Sequence, residues 1–211
     1  MIDSRLRVDG REVWLAGVVR GFAPDVPLLI GRLDEFAPKG VGVGISFDEL
    51  TGLTDHFVNR PSEPLVPLAT TETAELLGLA RFGEVRVPNP AYVRALEWSH
   101  ARSIPVEALE VSDEQYSQLF ADHISYVELV GRTLRERRLT RTAPEAKSAD
   151  EYAIVWEREL ARGRGSKRFL DARVAAIVAA ARRLVERVGR AAVVVDRERY
   201  DAVMAGLRGP N

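Results

Sequence analysis

GVGVGIS, residues 40–46, decides how the chain is read. In an extended backbone successive side chains alternate between faces. Val41, Val43 and Ile45 then share one face, and Gly40, Gly42 and Gly44 the other. A short apolar run that meets FDEL at residues 47–50 predicts a buried strand feeding a helix. The glycine face predicts close approach by a helix or another backbone. Upstream, LRV and REVWLAGVV flank Asp9-Gly10, a two-residue turn signal, and predict a hairpin whose second strand runs to about Val19. Far downstream, AAVVVD at 191–196 reads as another buried strand.

Between these strands the pattern is helical. Asp25 to Phe36 sets Leu28, Leu29, Leu33 and Phe36 on one face and stops at Pro38-Lys39-Gly40. Phe47 to Val58 is a helix, Asn59 to Ala69 a Pro-containing loop, Thr70 to Arg81 a helix, GEVRVPNP (83–90) extended, and Ala91 to Arg102 a helix. IPVEALEV (104–111) is a strand. This order predicts an α/β fold: a mainly parallel sheet covered by helices, with an N-terminal β-hairpin. Ser112 to Leu139 reads as one long helix and Ser148 to Ala161 as a second. RGRGS interrupts before a third from Lys167 to about Val188, and Arg197 to Leu207 closes the chain. The expected organisation is a single α/β domain over 1–211 with a long helical insertion, 112–165, before the last strand.

Composition excludes more than it names. The 211 residues carry 30 Lys+Arg and 31 Asp+Glu, a net charge of -1, so no global polycation drives nucleic-acid binding. With no cysteine, thiolate metal sites, disulfides and cysteine nucleophiles are excluded. The three histidines, His56, His100 and His123, are isolated, and His123 lies on the apolar side of its helix. No metal and no cofactor is expected. The start of the sequence lacks the apolar run of a signal peptide, and no stretch approaches the ~20 apolar residues of a membrane span. A cytoplasmic protein is the expectation.

Ser46 sits where a strand turns into a helix, the setting of a nucleophile elbow, but Asp48 replaces the last glycine of G-x-S-x-G. Ser46 to Glu49 also fits the S-x-x-E capping box, a pattern that recurs at Ser112–Gln115, Thr142–Glu145 and Ser148–Glu151. The glycines at 40–44 do not make G-x-G-x-x-G, since Ile45 and Phe47 stand where a glycine is needed. From Arg132 to Arg168 there are eleven Lys/Arg against six Asp/Glu. This basic face could hold a phosphate or carboxylate where the cluster Arg162 to Arg168 opens a helix. Ligands of open α/β sheets bind beyond the carboxyl ends of the strands. Those ends carry Arg20, Ser46 with Asp48 and Glu49, Glu110, and Asp196 with Arg197, Glu198 and Arg199. Internal pairing and orientation of a polar ligand are both open to such a set.

Several stretches, in order, resemble the TraB/PrgY family, related to the Tiki-type metalloproteases and the erythromycin-esterase-like hydrolases. They are GVVR (17–20), APKGVGVGISFDEL (37–50), YVRALEWSHARSIPVEALE (92–110), RFLDAR (168–173) and VVVDRERYDAVMAGL (193–207). The resemblance implies an α/β scaffold with motif histidines and an acid that bind metal. Here the first histidine position is Arg20, the acidic position is Ile45 or Ser46, and Glu198 stands for the second histidine. Arginine is a permanent cation and a five-donor fork, so it cannot ligate a divalent ion. Arg173 and Arg168 match the family's arginine motif, and the family's membrane segments are missing. The resemblance therefore implies the scaffold without its metal chemistry.

The expected function is a non-metal, catalytically degenerate protein that binds a small anionic or peptide-like ligand or a partner. Arg20, Glu49, Glu110, Arg168, Arg173, Arg197 and Glu198 are its candidate ligand-binding residues, and it self-associates. A hydrolase of peptidase or esterase type using Ser46, Glu49 or Glu198 is the alternative. A helical arm that dimerises is the third reading.

Overall fold

A computed structural model describes residues 1–59 and 69–209. The chain opens with β1 (Ile2–Val8) and β2 (Arg11–Val18), an antiparallel pair closed at Val8 and Arg11. Asp9 and Gly10 both take positive φ, 50° and 79°, as a two-residue turn with the twist of its strands demands. A short 3-10 turn, Ala23–Asp25, leads into α1 (Val26–Phe36), and β3 (Gly40–Val43) follows. Then come α2 (Phe47–Asn59), α3 (Thr70–Leu79), α4 (Pro90–His100) and β4 (Val106–Ala108). The expected loop over 59–69 lies almost wholly outside the described residues. Next are α5 (Asp113–His123), α6 (Tyr126–Arg141), α7 (Ala149–Leu160), α8 (Arg164–Val188), β5 (Arg190–Asp196) and α9 (Tyr200–Arg208).

The five strands form one sheet in the order β1-β2-β5-β3-β4, parallel except for the first pair. The fold is the α/β arrangement read from the sequence, with the last strand inserted at the centre. Period-two alternation sorts the core. Trp14, Ala16, Val18, Val41, Val43, Ile45, Ala192 and Val194 face α1 and α4, packing against Leu29, Leu33, Phe36, Tyr92 and Ala95. Val13, Leu15, Ala191, Val193 and Val195 face α8 and α9, packing against Ile177, Leu184, Val203 and Leu207. A third cluster joins α3, α6 and α7 through Leu79, Leu139, Tyr152, Ala153 and Trp156, and reaches Val19 and Phe22 just past the end of β2.

The glycine face of β3 is the close approach that its sequence implies. A Cβ at Gly40 would lie 3.1 Å from Leu184 of α8, and one at Gly42 would lie 2.7 Å from Leu109.

Four local readings change. Leu28 is exposed; α1 buries Leu29, Leu33 and Phe36, and Leu28 falls beside that stripe. The strand at 104–111 shrinks to three residues in the ladder, with Leu109 and Glu110 still donating their amides to the carbonyls of Val43 and Ile45. The long helix from 112 breaks at Ile124-Ser125, because Ser125 and Glu128 form a capping box that starts α6. Thr142 begins no helix: its amide donates to the carbonyl of Arg138 and it ends α6.

Candidate functional site

The four parallel strands end on one cavity of about 360 Å³. Arg20 follows β2, Ser46 and Glu49 follow β3, Glu110 follows β4, and Asp196 ends β5, with Glu198 and Arg199 in the 3-10 turn after it. Arg173 reaches in from α8. The roof comes from α3 with Glu72 and Glu75, from α5 with Asp113 and Tyr116, and from α7 with Trp156, Glu157 and Leu160. Arg20, Glu49, Glu110, Arg173 and Glu198, far apart in sequence, thus line a single cavity. Arg168 and Arg197 do not. Arg168 is exposed on α8, and Arg197 is turned to Asp150 at 3.2 Å and Asp201 at 3.4 Å.

Asp196 is the centre of the charge network. It is 1% exposed. Its Oδ1 accepts from the Tyr92 hydroxyl at 2.7 Å and its Oδ2 from Arg20 at 3.2 Å. Arg20 also reaches Glu49 at 3.5 Å. A second buried knot surrounds Glu110, whose Oε2 accepts from Arg173 at 2.8 Å and from Arg199 at 2.5 Å. Each arginine of the cavity is therefore held by a carboxylate.

Among the described residues, eight carboxylate side chains line the cavity against three arginines. Burial and crowding follow in the acidities. Glu198 is pushed up to about 8, first by burial and then by neighbouring Asp196, against the pull of Arg199. Burial likewise raises Glu75 to about 7, and raises Glu49 against Arg20. Asp196 goes the other way. Its burial is strongly unfavourable to charge, yet Arg20, Arg199 and the Tyr92 hydrogen bond together keep it below the usual range. An anionic ligand would meet this acidic excess with each of these arginines already engaged.

Ser46 is a cap. Its Oγ accepts from the Glu49 amide at 3.1 Å at the start of α2, and among the described residues no histidine lines the cavity to act as its base; the His56 side chain lies outside them. His100 is exposed on α4 and His123 is partly buried at the end of α5. The basic segment is internally satisfied at several points. Glu159 is bound by both Arg138 and Arg162. The start of α8, expected to hold an anion, already holds Glu128, whose carboxylate accepts from the Gly165 amide at 2.8 Å.

The metal that the family resemblance implies does not fit this donor set. At the first histidine position the Arg20 guanidinium pairs with Asp196 and Glu49, and Ile45 is 1% exposed in the core. Among the described residues no three His, Asp or Glu side chains gather to hold an ion.

Sequence reasoning passed over Tyr92, which belongs to the centre of the site but carries no local mark beyond its helix. It also passed over Glu72 and Glu75. Their i,i+3 spacing puts both on one helix face, but which way that face points is a tertiary fact. Compared with known proteins, the chain matches no family model and no curated protein.

Proposed function

We propose that this chain is a TraB-like protein without metal chemistry that binds a small peptide-like ligand through a cationic group in the acidic cavity. The observation that carries this reading is the convergence of all four parallel strand ends on one cavity with eight carboxylates and three paired arginines. Such a cavity focuses negative potential and concentrates cations. Raised carboxyl pKa values there mean that an incoming cation would displace protons, so binding of a free amino terminus becomes tighter as pH rises from about 6 to about 7.5 and weakens once the terminus loses its own proton at about pH 8. The expected organisation, one α/β domain with a helical insertion over 112–165, belongs to the same reading, as does placement in the cytoplasm, which a cysteine-free chain fits. Among the described residues no helix is long and apolar enough to cross a membrane.

Self-association is part of the proposal. Tyr126, Val127, Val130 and Leu134 are exposed on α6 at spacings of one helical face. The occupant is a second copy. Antiparallel α6 helices would bury these faces against each other and bring the basic end of one helix, Arg137, Arg138 and Arg141, to the N-terminal turn of the other.

Calorimetry with short peptides of opposite charge tests the reading. Peptides with a free amino terminus bind, their acetylated acidic counterparts do not, and the double substitution of Glu75→Gln with Glu198→Gln removes the difference. Stoichiometric binding of zinc or manganese at micromolar affinity, or equal binding of both peptide classes, overturns it.

A second reading is favoured by one observation. Glu198, protonated to about pH 8, and ionised Asp196 line the same cavity, the split that acid–base pairs use. A hydrolase of this kind would lose turnover on a peptide and ester panel with Glu198→Gln and keep it with Ser46→Ala.

A further inference from the structure

A second cavity of about 410 Å³ abuts the acidic one, and the two share Arg20, Glu49, Glu72 and Glu75 in their walls. Its chemistry differs. Leu53, Leu76, Val87 and Pro88 contribute apolar surface, supplied by α2, α3 and the irregular segment before α4. The shared residues are polar and sit where the two cavities meet, so a molecule spanning both would put charge on one side and hydrocarbon on the other.

Asn89 supplies an independent observation. It lies in the wall of the apolar cavity, 8% exposed. Its Oδ1 is committed to the Ala91 amide at 3.1 Å as the cap of α4, while its Nδ2 has no partner. A buried donor without an acceptor is destabilising, and a ligand oxygen is what would relieve it. The Trp156 indole N–H is a second such donor, in a residue 2% exposed in the wall of the acidic cavity.

From the shared wall, the apolar lining and the unpaired donors we infer that the two cavities form one composite site for an α-amino amide with an apolar side chain, the chemistry of a peptide's first residue. The ammonium enters among the carboxylates and the side chain fills the apolar cavity. The carbonyl oxygen accepts from a buried donor that now has none. A free carboxylate in place of the amide is disfavoured, because it adds negative charge beside eight carboxylates. This rests on the acidic-cavity reading above and adds to it the side-chain class and the need for an amide.

Four small probes separate these elements by titration calorimetry on the full chain at near-neutral pH. Phenylalaninamide carries all three groups, glycinamide lacks the apolar group, 3-phenylpropanamide lacks the ammonium, and phenylalanine replaces the amide with a carboxylate. Phenylalaninamide is expected to bind at least about tenfold more tightly than each of the others, the discrimination a small apolar pocket or a single buried polar contact supplies. Leu76→Asn, which removes the apolar surface without adding charge, is expected to abolish its advantage over glycinamide; a thermal melt checks that this variant folds. Equal binding of glycinamide and phenylalaninamide overturns the composite site and leaves the acidic-cavity reading standing. Absence of binding by either amine overturns both. Binding of phenylalanine as tightly as phenylalaninamide overturns the amide requirement, and binding of 3-phenylpropanamide alone overturns the ammonium. If phenylalaninamide alone binds, a tripeptide with an N-terminal phenylalanine shows whether the source is a free amine or a chain end. Tight tripeptide binding assigns chain ends, and its failure restricts the site to free amino amides.

Discussion

The Tyr92 hydroxyl donates to Asp196 at 2.7 Å, joining α4 to the end of the central strand across 104 residues of chain. Both side chains are 1% exposed, so this bond lies in the core wall of the cavity and not at its mouth. It serves as the second support of a carboxylate that Arg20 alone would hold from one side. Tyr92→Phe removes the donor and leaves Asp196 with one buried oxygen unpaired. We expect a loss of about 1–3 kcal/mol, the cost of an unsatisfied buried acceptor, read as a lower urea midpoint at unchanged slope. Asp196→Asn should cost more, because Arg20 and Arg199 would then face each other without their shared counter-charge. Equal stability of Tyr92→Phe and the parent chain would count against a closed network.

The pH dependence of stability should carry the signature of Glu198. In the fold this carboxyl keeps its proton to about pH 8, whereas an unfolded glutamate loses it near 4.5. Between those values the folded chain binds more protons than the unfolded one, so stability falls as pH rises through that window and levels above it. Glu75 adds the same sign between about 4.5 and about 7. Asp196 acts oppositely: its lowered pKa contributes stability that is lost only as pH falls through its folded value. Glu198→Gln keeps the size of the side chain and cannot ionise. Urea titrations at about pH 5 and about pH 9 should find it equal to the parent at the lower value. At the higher it should be more stable by about 1–3 kcal/mol, less than the full shift because buried sites relax. Parallel curves for the two proteins would mean that Glu198 is not perturbed.

Glu128 ties two helix starts together. Its carboxylate accepts from the Ser125 amide at 3.4 Å in the α6 capping box and from the Gly165 amide at 2.8 Å at the start of α8. Ser125→Ala should cost about 1 kcal/mol, the ordinary worth of such a cap. Glu128→Ala should destabilise further, because it releases donors at both helix ends; melting temperatures of the two variants rank them. The hydrogen bond to Gly165 holds the Glu128 carboxyl below the usual range, so the contribution is present at neutral pH and lost as pH falls through that lowered value. If Glu128→Ala melts no lower than Ser125→Ala, the link to α8 carries no energy.

Those same residues show where the sequence was legible and where it was not. The strands at 11–18, 40–43 and 190–196 could be read because their alternation, glycines and β-branched runs are local signals of two-faced burial. The cavity followed from them, since the ends of parallel strands define its position before any side chain is placed. The break at Ser125 was equally local, an S-x-x-E within a helical pattern, but the apolar spacing of Tyr116, Phe120 and Val127 ran across it and masked it. What could not be read was pairing. Arg197 and Arg199 are two residues apart. Yet Arg199 binds Glu110 inside the cavity while Arg197, equally buried, turns away from it to Asp150, a difference set by the 3-10 turn that carries both. Arg168 and Arg173 differ similarly, five residues and about 140° apart on one helix, so only Arg173 reaches Glu110.

Gly42 is a packing requirement in β3, beside the central strand. A Cβ there would lie 2.7–2.9 Å from three atoms of the Leu109 side chain, which is 2% exposed and has little room to move. Gly42→Ala should therefore destabilise by about 1–3 kcal/mol through overpacking, despite adding one methyl group in a strand. Leu109→Ala alone leaves a cavity and also costs stability. The two together should be less harmful than their sum, because the new methyl occupies space that Leu109 vacates. Denaturant midpoints of the four proteins measure the coupling, and strictly additive losses would remove Leu109 as the cause.

The exposed face of α6 sets the last expectation. Tyr126 and Val127 are both 79% exposed and Leu134 60%, a patch that solvent penalises at about 25 cal/mol per Å². A two-fold, antiparallel contact places this face on its own copy and uses none of the residues that line the cavity. Sedimentation at tens of micromolar, on the order expected for a modest helix-pair interface, should give a dimer for the parent chain. It should give a monomer for the double substitution Val130→Glu with Leu134→Glu. Both positions point outward, so the variant should melt within about 0.5 kcal/mol of the parent monomer and keep its affinity for phenylalaninamide. A parent chain that sediments as a monomer at that concentration removes self-association from the proposal. A variant that dissociates and also loses the ligand would mean that the cavity depends on the second copy.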